Sequence, residues 1–373
     1  MFKKFVAALL AITLSLGTVL TTGASVFEEK NSKDPGLYVF TKETSNEIIT
    51  YAVNKFPGML LSHLKNNNMN ANIDEFRLGM PINIKANNSV GRIYHFPVFQ
   101  GDSVSCILTV YDDGNEYYVQ LEESLLAKKL DSYMNKTDEN NAIKFVSDED
   151  GFYAFFDGQY EPLTPESLIN KSNFDISNTT GTKADEKAID LSKTLATAST
   201  VTIQETPSSK VLSVKSVPQT DDGTFNGTQM NWCGAACTAA IINYKKSKSL
   251  TAKDVTIKAL GSAKDEGITN DQVIKVAKEY NLSPKSGDPL SSSTVIDEIV
   301  GLRPIFMQMQ RDTGSGKAYH ALVLIGYDST KYTIINPWYE NSLTITRKSS
   351  GSDVTYVTGD RTYKWYKSVY NWK

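Results

Sequence analysis

Cysteine is scarce in this chain of 373 residues, which holds three: Cys106, Cys233 and Cys237. So few, and an odd number, exclude a disulfide framework and raise the question of what a free thiol is for. Histidine is equally scarce, limited to His63, His95 and His320. Cys233, Cys237 and His320 lack a fourth partner and are badly spaced for zinc, so no metal or other cofactor is expected. No second long apolar run follows the first near the N-terminus, and no lipid-anchor cysteine follows it either. Thr313-Gly-Ser-Gly-Lys317 lacks the upstream glycine of a phosphate loop and reads instead as a flexible loop. Basic clusters interleaved with aromatics are missing, which argues against nucleic acid as a partner. There is no internal repeat.

What is present begins with an export-like start. Lys3 and Lys4 precede the apolar run Phe5 to Leu20, and Thr22-Gly23-Ala24 offers small residues for cleavage. The run is shorter than the ~20 residues that span a bilayer. Residues 1–24 therefore read as a signal peptide, and the product as secreted, bacterial in style, with no stable membrane insertion once the signal is gone.

The net charge of -3 conceals an asymmetry. Residues 25–210 carry 17 basic against 27 acidic side chains, and residues 211–373 carry 20 against 15. Opposite charge favours docking of one part on the other. Residues 27–165 read as a mixed domain, with a helix over 46–64, strands over 82–84, 92–99, 104–111, 116–120 and 151–156, and a second helix over 122–134. Residues 166–216 turn polar and read as a linker or activation segment, with one helical stretch near 184–196. The part from 197 to 218 is expected to be exposed, where proteolytic nicking concentrates. Residues 217–373 place helices first (233–244, one after a cap at Thr251, 270–280, 293–300) and strands after Pro304 (305–310, 320–327, 332–335, 342–347, 354–357). That order predicts an α+β fold.

The chemistry concentrates in Gln229-Met-Asn-Trp-Cys233-Gly-Ala-Ala-Cys237. Cys233 begins a predicted helix, where free backbone N–H groups and the helix dipole favour a thiolate. Cys237, one turn on, reads as core packing. A thiol nucleophile needs an imidazole, and His320, at the start of an apolar strand, is the histidine in the same domain. Asn336, in Asn336-Pro337-Trp338, can accept the imidazole N–H and fix the ring. Trp338 is placed to roof that bond.

Glutamine, cysteine-glycine, histidine-alanine and Asn-Pro-Trp in this order resemble the papain-like cysteine peptidases, above all the compact bacterial secreted branch that includes the staphopains. The resemblance covers about 217–373. It implies a two-lobed domain with Cys233 on a helical lobe and His320 and Asn336 on a β-barrel-like lobe. It also implies that the acidic N-terminal domain is an inhibitory propeptide. The family's oxyanion glutamine stands five or six residues before the nucleophile. Gln229 stands four before Cys233 and is the first candidate, with Gln219 and Asn231 in reserve. The expected function is a zymogen of a cysteine endopeptidase acting on protein or peptide substrates. Two rivals stay open: an acyltransferase or transglutaminase on the same Cys-His pair, and a non-catalytic exported binding protein.

Overall fold

The computed structural model describes residues 36–86, 91–147, 151–169, 188–195 and 209–373. The apolar run Phe5 to Leu20, and most of the expected linker, lie outside them.

One antiparallel sheet organises the molecule. In the N-terminal part its strands are β1 (Phe76–Gly79), β2 (Ile82–Lys85), β3 (Arg92–Gln100), β4 (Ser103–Asp112) and β5 (Tyr117–Glu122). In the C-terminal part they are β6 (Ile305–Thr313), β7 (Gly316–Tyr327), β8 (Lys331–Ile335), β9 (Leu343–Thr346), β10 (Thr355–Thr358) and β11 (Arg361–Tyr370). The order runs β1-β3-β4-β5-β9-β8-β7-β6-β11, with β2 on β3 and β10 on β11. The two parts join where Leu121 of β5 pairs with Thr344 of β9 and Gln120 with Ile345. The path is open at both ends among the described residues, so the strands form a mostly antiparallel mixed-domain sheet without closing on themselves.

The helices are α1 (Asn46–Asn66), α2 (Leu125–Tyr133), α3 (Pro165–Ile169), α4 (Cys233–Lys246), α5 (Ala252–Leu260), α6 (Asn270–Glu279) and α7 (Ser292–Val300). Capping explains the starts of α5 and α6. The Thr251 hydroxyl accepts from Asp254 N–H while Asp254 reaches back to Thr251 N–H, and Thr269 and Gln272 do the same. The alanine-rich α4 has small side chains and packs closely on β7 and α5, burying Ala235, Ala236, Cys237, Ala239 and Ala240. One hydrophobic cluster lies wholly between Leu212 and Trp372. Two others lie between Leu37 and Leu191 and between Ile48 and Leu121.

Several expectations are corrected. The helix expected over 184–196 is absent from 188–195: Ala188–Asp190 is a strand against Tyr38–Phe40, and Thr194–Leu195 pairs with β1. Exposed sheet edges and burial of Leu191 outweigh the local helix propensity of alanine, lysine and glutamate. The linker was expected to be exposed up to 218. Instead Lys210–Val211 pairs with Tyr327 and Gly326, and Leu212 and Val214 are buried. A side chain at position 326 would strike Val211 and the Lys210 carbonyl, so glycine there permits the strand to lie down. Gly314 and Ser315 form a tight two-residue connection between Thr313 and Gly316, not a flexible loop. The ten-residue strand β11 was not anticipated.

Docking of acidic on basic surface also takes a different form. Across the boundary Lys348 pairs with Glu116. Neutral bonds prevail. Gln120 bonds both Val357 N–H and Val357 C=O, His95 meets Gly359 O at 2.8 Å, and Asn67 holds Ser342 by backbone and side chain.

Candidate active site

Cys233 is the first residue of α4. The residue before it, Trp232, has non-helical backbone and makes no side-chain cap, so the first N–H groups of the helix are left for other partners. Its buried indole donates to Lys264 O at 2.6 Å, which pins the helix start. The backbone N–H groups of Cys233, Gly234 and Ala321 all favour the Cys233 thiolate. Ala321 follows His320, so the sulfur lies against the backbone next to the histidine.

His320 sits inside β7, paired across to Met309. Its Nε2 is 3.0 Å from Asn336 Oδ1. Asn336 is fully buried at the end of β8, and its own orientation is fixed on both sides. The Trp338 backbone N–H, which can only donate, meets Asn336 Oδ1 at 3.2 Å, and Asn336 Nδ2 donates to the Tyr356 hydroxyl at 2.8 Å. The atom facing His320 is therefore the oxygen, so Nε2 carries the hydrogen and Nδ1 keeps its lone pair. Trp338 stacks on His320 with ring centroids 3.9 Å apart and planes 17° apart, so the expected roof is there. Tyr356 and Tyr363 complete the aromatic wall, at 6.1 and 6.3 Å from the imidazole centroid.

Burial keeps both members of the pair neutral. It lowers the His320 imidazole to about 4 against the pull of Asn336. It also raises the Cys233 thiol above its ordinary range, outweighing the three backbone N–H groups, with the charge of Glu166 adding to the rise. Glu166 belongs to α3, in the N-terminal part. Its Oε1 accepts the Tyr363 hydroxyl at 2.7 Å, while Oε2 is buried without a partner.

The two glutamines lie on paired segments, one register step apart. Thr220 and Gln229 form an isolated antiparallel bridge. Gln219 is buried, its N–H donating to Pro337 O, its C=O accepting from Met230 N–H, and its Nε2 reaching Met230 O at 2.5 Å. Gln229 is half-buried, and the side-chain oxygens of both glutamines lack partners. Asn231 is exposed, with its N–H on Asp265 Oδ1 at 2.6 Å. Cys237 is buried in the core, its thiol pushed far above its ordinary range by desolvation, with the charge of Cys233 adding to the rise. Among the described residues no group of three or more histidine, cysteine or acidic side chains is arranged to hold a metal ion.

Residues 211–366 match the Peptidase_C39 like family. The match supports a cysteine peptidase and does not single out the staphopain-like branch. It begins one residue after the strand at Lys210–Val211 starts, so it includes the segment that pairs with β7. No curated protein matches the chain. Among solved structures, a protein described as a C39-like peptidase from Bacillus anthracis aligns at 12% identity and TM-score 0.31, over 44% of this chain and 97% of that one. A double glycine motif protease from an AMS/PCAT transporter, solved in complex with the leader peptide, aligns at 16% and TM-score 0.26, over 44% of this chain and 99% of that one. The C39-like region holds Cys233, His320 and Asn336. Glu166 lies outside it, as does the rest of the N-terminal part.

Proposed function

We propose that the chain is the secreted zymogen of a cysteine endopeptidase whose site is Cys233, His320 and Asn336. The observation that carries this reading is the bond from His320 Nε2 to an Asn336 oxygen that cannot flip, with the Cys233 sulfur beside Ala321. In the reaction, Nδ1 of His320 takes the Cys233 proton and the sulfur attacks the peptide carbonyl carbon. The C–N bond then breaks as the imidazolium protonates the leaving amine. Water attacks the thioester, giving its proton to His320, and the thiol is restored. The oxyanion takes the Cys233 N–H and one side-chain amide. Gln229 is the candidate by sequence. Gln219 has the better-built position, buried between Met230 and Pro337. An acyltransferase on the same pair is disfavoured by the neutral asparagine orienter, and an inert binding protein has no use for one.

Residues 27 to about 200 act as the inhibitor in this reading. The support is what the N-terminal part does to the site: Glu166 reaches Tyr363 beside His320, and its charge works against the Cys233 thiolate. The activating cut then falls before Lys210, because 210–214 is built into the peptidase sheet. The rate of Cys233 alkylation by iodoacetamide at neutral pH, before and after limited proteolysis, tests it. A rise on cleavage, together with the appearance of casein hydrolysis, supports the zymogen. An uncut chain that is fully active and stays uncut contradicts it.

A further inference from the structure

Glu166 is held by an arrangement that outlasts its departure. Its Oε1 accepts the Tyr363 hydroxyl at 2.7 Å. That hydroxyl in turn accepts from Arg311 Nε at 3.0 Å, and the guanidinium lies over the Tyr363 ring at 5.5 Å. An arginine N–H can only donate, so the Tyr363 oxygen is committed as its acceptor and the phenolic hydrogen is aimed outward. Arg311 has no ion pair of its own among the described residues, while the neighbouring Asp312 is taken by Lys317. The carboxylate on the hydroxyl that this cation backs comes from another part of the chain, from a residue whose second oxygen is buried and unsatisfied. Remove Glu166 and a donor-committed hydroxyl backed by a guanidinium is left at the wall of the site, its ring 6.3 Å from His320.

We infer that Tyr363 and Arg311 form a substrate subsite for a carboxylate side chain, occupied in the intact chain by Glu166. The inference rests on the peptidase reading above and adds a substrate class: peptides with an acidic residue near the scissile bond. A neutral amide in place of the carboxylate keeps the Tyr363 bond but loses the charge assistance of Arg311. A lysine side chain is opposed outright. Arg311 acts on the substrate through Tyr363 and through its charge, and is a specificity-determining residue in this account.

The test uses the full-length chain with Glu166→Ala, which vacates the subsite. Cleavage sites in casein are mapped first by mass spectrometry. Matched peptides carrying Glu, Gln or Lys at each position flanking the scissile bond are then compared by kcat/KM. At one position Glu is expected to exceed Gln by about tenfold, with Lys poorer still. Arg311→Gln in the same background is expected to bring the Glu-to-Gln ratio close to one; the ratio, not the rate, is the readout. Casein cleavage that depends on Cys233 but prefers Glu nowhere overturns the subsite and leaves the peptidase standing. So does a Glu preference that survives Arg311→Gln. If the Glu166→Ala chain cleaves nothing, binding of fluorescent Glu and Gln peptides to the full-length Cys233→Ala, Glu166→Ala chain decides: about tenfold tighter binding of the Glu peptide supports the subsite, and equal affinity overturns it.

Discussion

Asn336 presents its side-chain oxygen to His320 Nε2 at 3.0 Å, and the backbone N–H of Trp338 ensures that it is the oxygen. The consequence is a defined tautomer in which Nδ1 is the basic nitrogen. Asn336→Ala removes the acceptor and also leaves the Tyr356 hydroxyl without its donor. In the activated enzyme kcat is expected to fall on the order of 10²-fold, within what positioned acid-base catalysis supplies. KM should change little, because Asn336 is fully buried and does not meet substrate. Steady-state kinetics on a peptide substrate check this; a rise in KM at constant kcat would contradict the orienting role.

The oxyanion donor is open to a direct comparison. Gln219→Ala and Gln229→Ala each remove one candidate amide. Loss of one oxyanion donor costs about 10²–10³ in kcat, so the true donor should stand apart from its neighbour by at least a factor of ten. Gln219 is expected to be the more costly, since its side chain is buried with Nε2 held on Met230 O. Urea unfolding of both variants separates a catalytic loss from a structural one.

Gly359 sits at φ +55 in the turn before β11, where a Cβ would come within 2.6 Å of Thr164 and 2.9 Å of Phe152. Gly359→Val therefore brings left-handed strain of about 1–2 kcal/mol together with a clash against the N-terminal part. The expected result is an N-terminal part that releases more readily, seen as faster alkylation of Cys233 in the uncut chain. Added salt should do little by comparison. The boundary rests mainly on β pairing and neutral hydrogen bonds, and screening acts on exposed charge.

Acid should loosen the intact chain. Burial lowers His63, His95 and His320 to about 4 each, below the 6.5 of an exposed imidazole. Their contribution to stability is full above pH 6.5 and is lost as pH falls from there toward 4, at up to about 1.4 kcal/mol per pH unit for each. Glu122 works in the opposite direction. Desolvation raises its carboxyl, so its contribution is present at low pH and lost as pH rises. Its Oε2 is buried without a partner. Glu122→Gln should raise the melting temperature at pH 8 relative to wild type, with a smaller gain or none at pH 5. Thermal melts of both proteins between pH 4 and 8 check both signs.

The local elements and the chemical residues were legible in the sequence because each carries a local signal. Thr251 with Asp254 announces a capped helix, short apolar runs mark β3 and β4, and Cys233, His320 and Asn336 occur in motifs of a few residues. What escaped depends on distant partners. The pairing of Leu121 with Thr344 leaves no trace in either strand alone, and it turns two expected bodies into one sheet. Strand β11 mixes lysines with aromatics in a way that hides its buried face, Tyr363, Trp365 and Val369. Residues 188–195 have helix-forming composition and are drawn into strands by edges elsewhere. Glu166 is one acid among many in a polar stretch, and its partner Tyr363 lies 197 positions away.

The central claim is that Cys233, not Cys237, is the nucleophile. The most direct measurement is casein hydrolysis after limited proteolysis of wild type, Cys233→Ala and Cys237→Ala, with the wild type also treated with an epoxide thiol-protease inhibitor and its adduct mapped by mass. The account predicts no hydrolysis from Cys233→Ala, hydrolysis retained in Cys237→Ala, and a single adduct on Cys233 that accompanies loss of activity. Hydrolysis by Cys233→Ala comparable to wild type, or an inactivating adduct elsewhere, would contradict it.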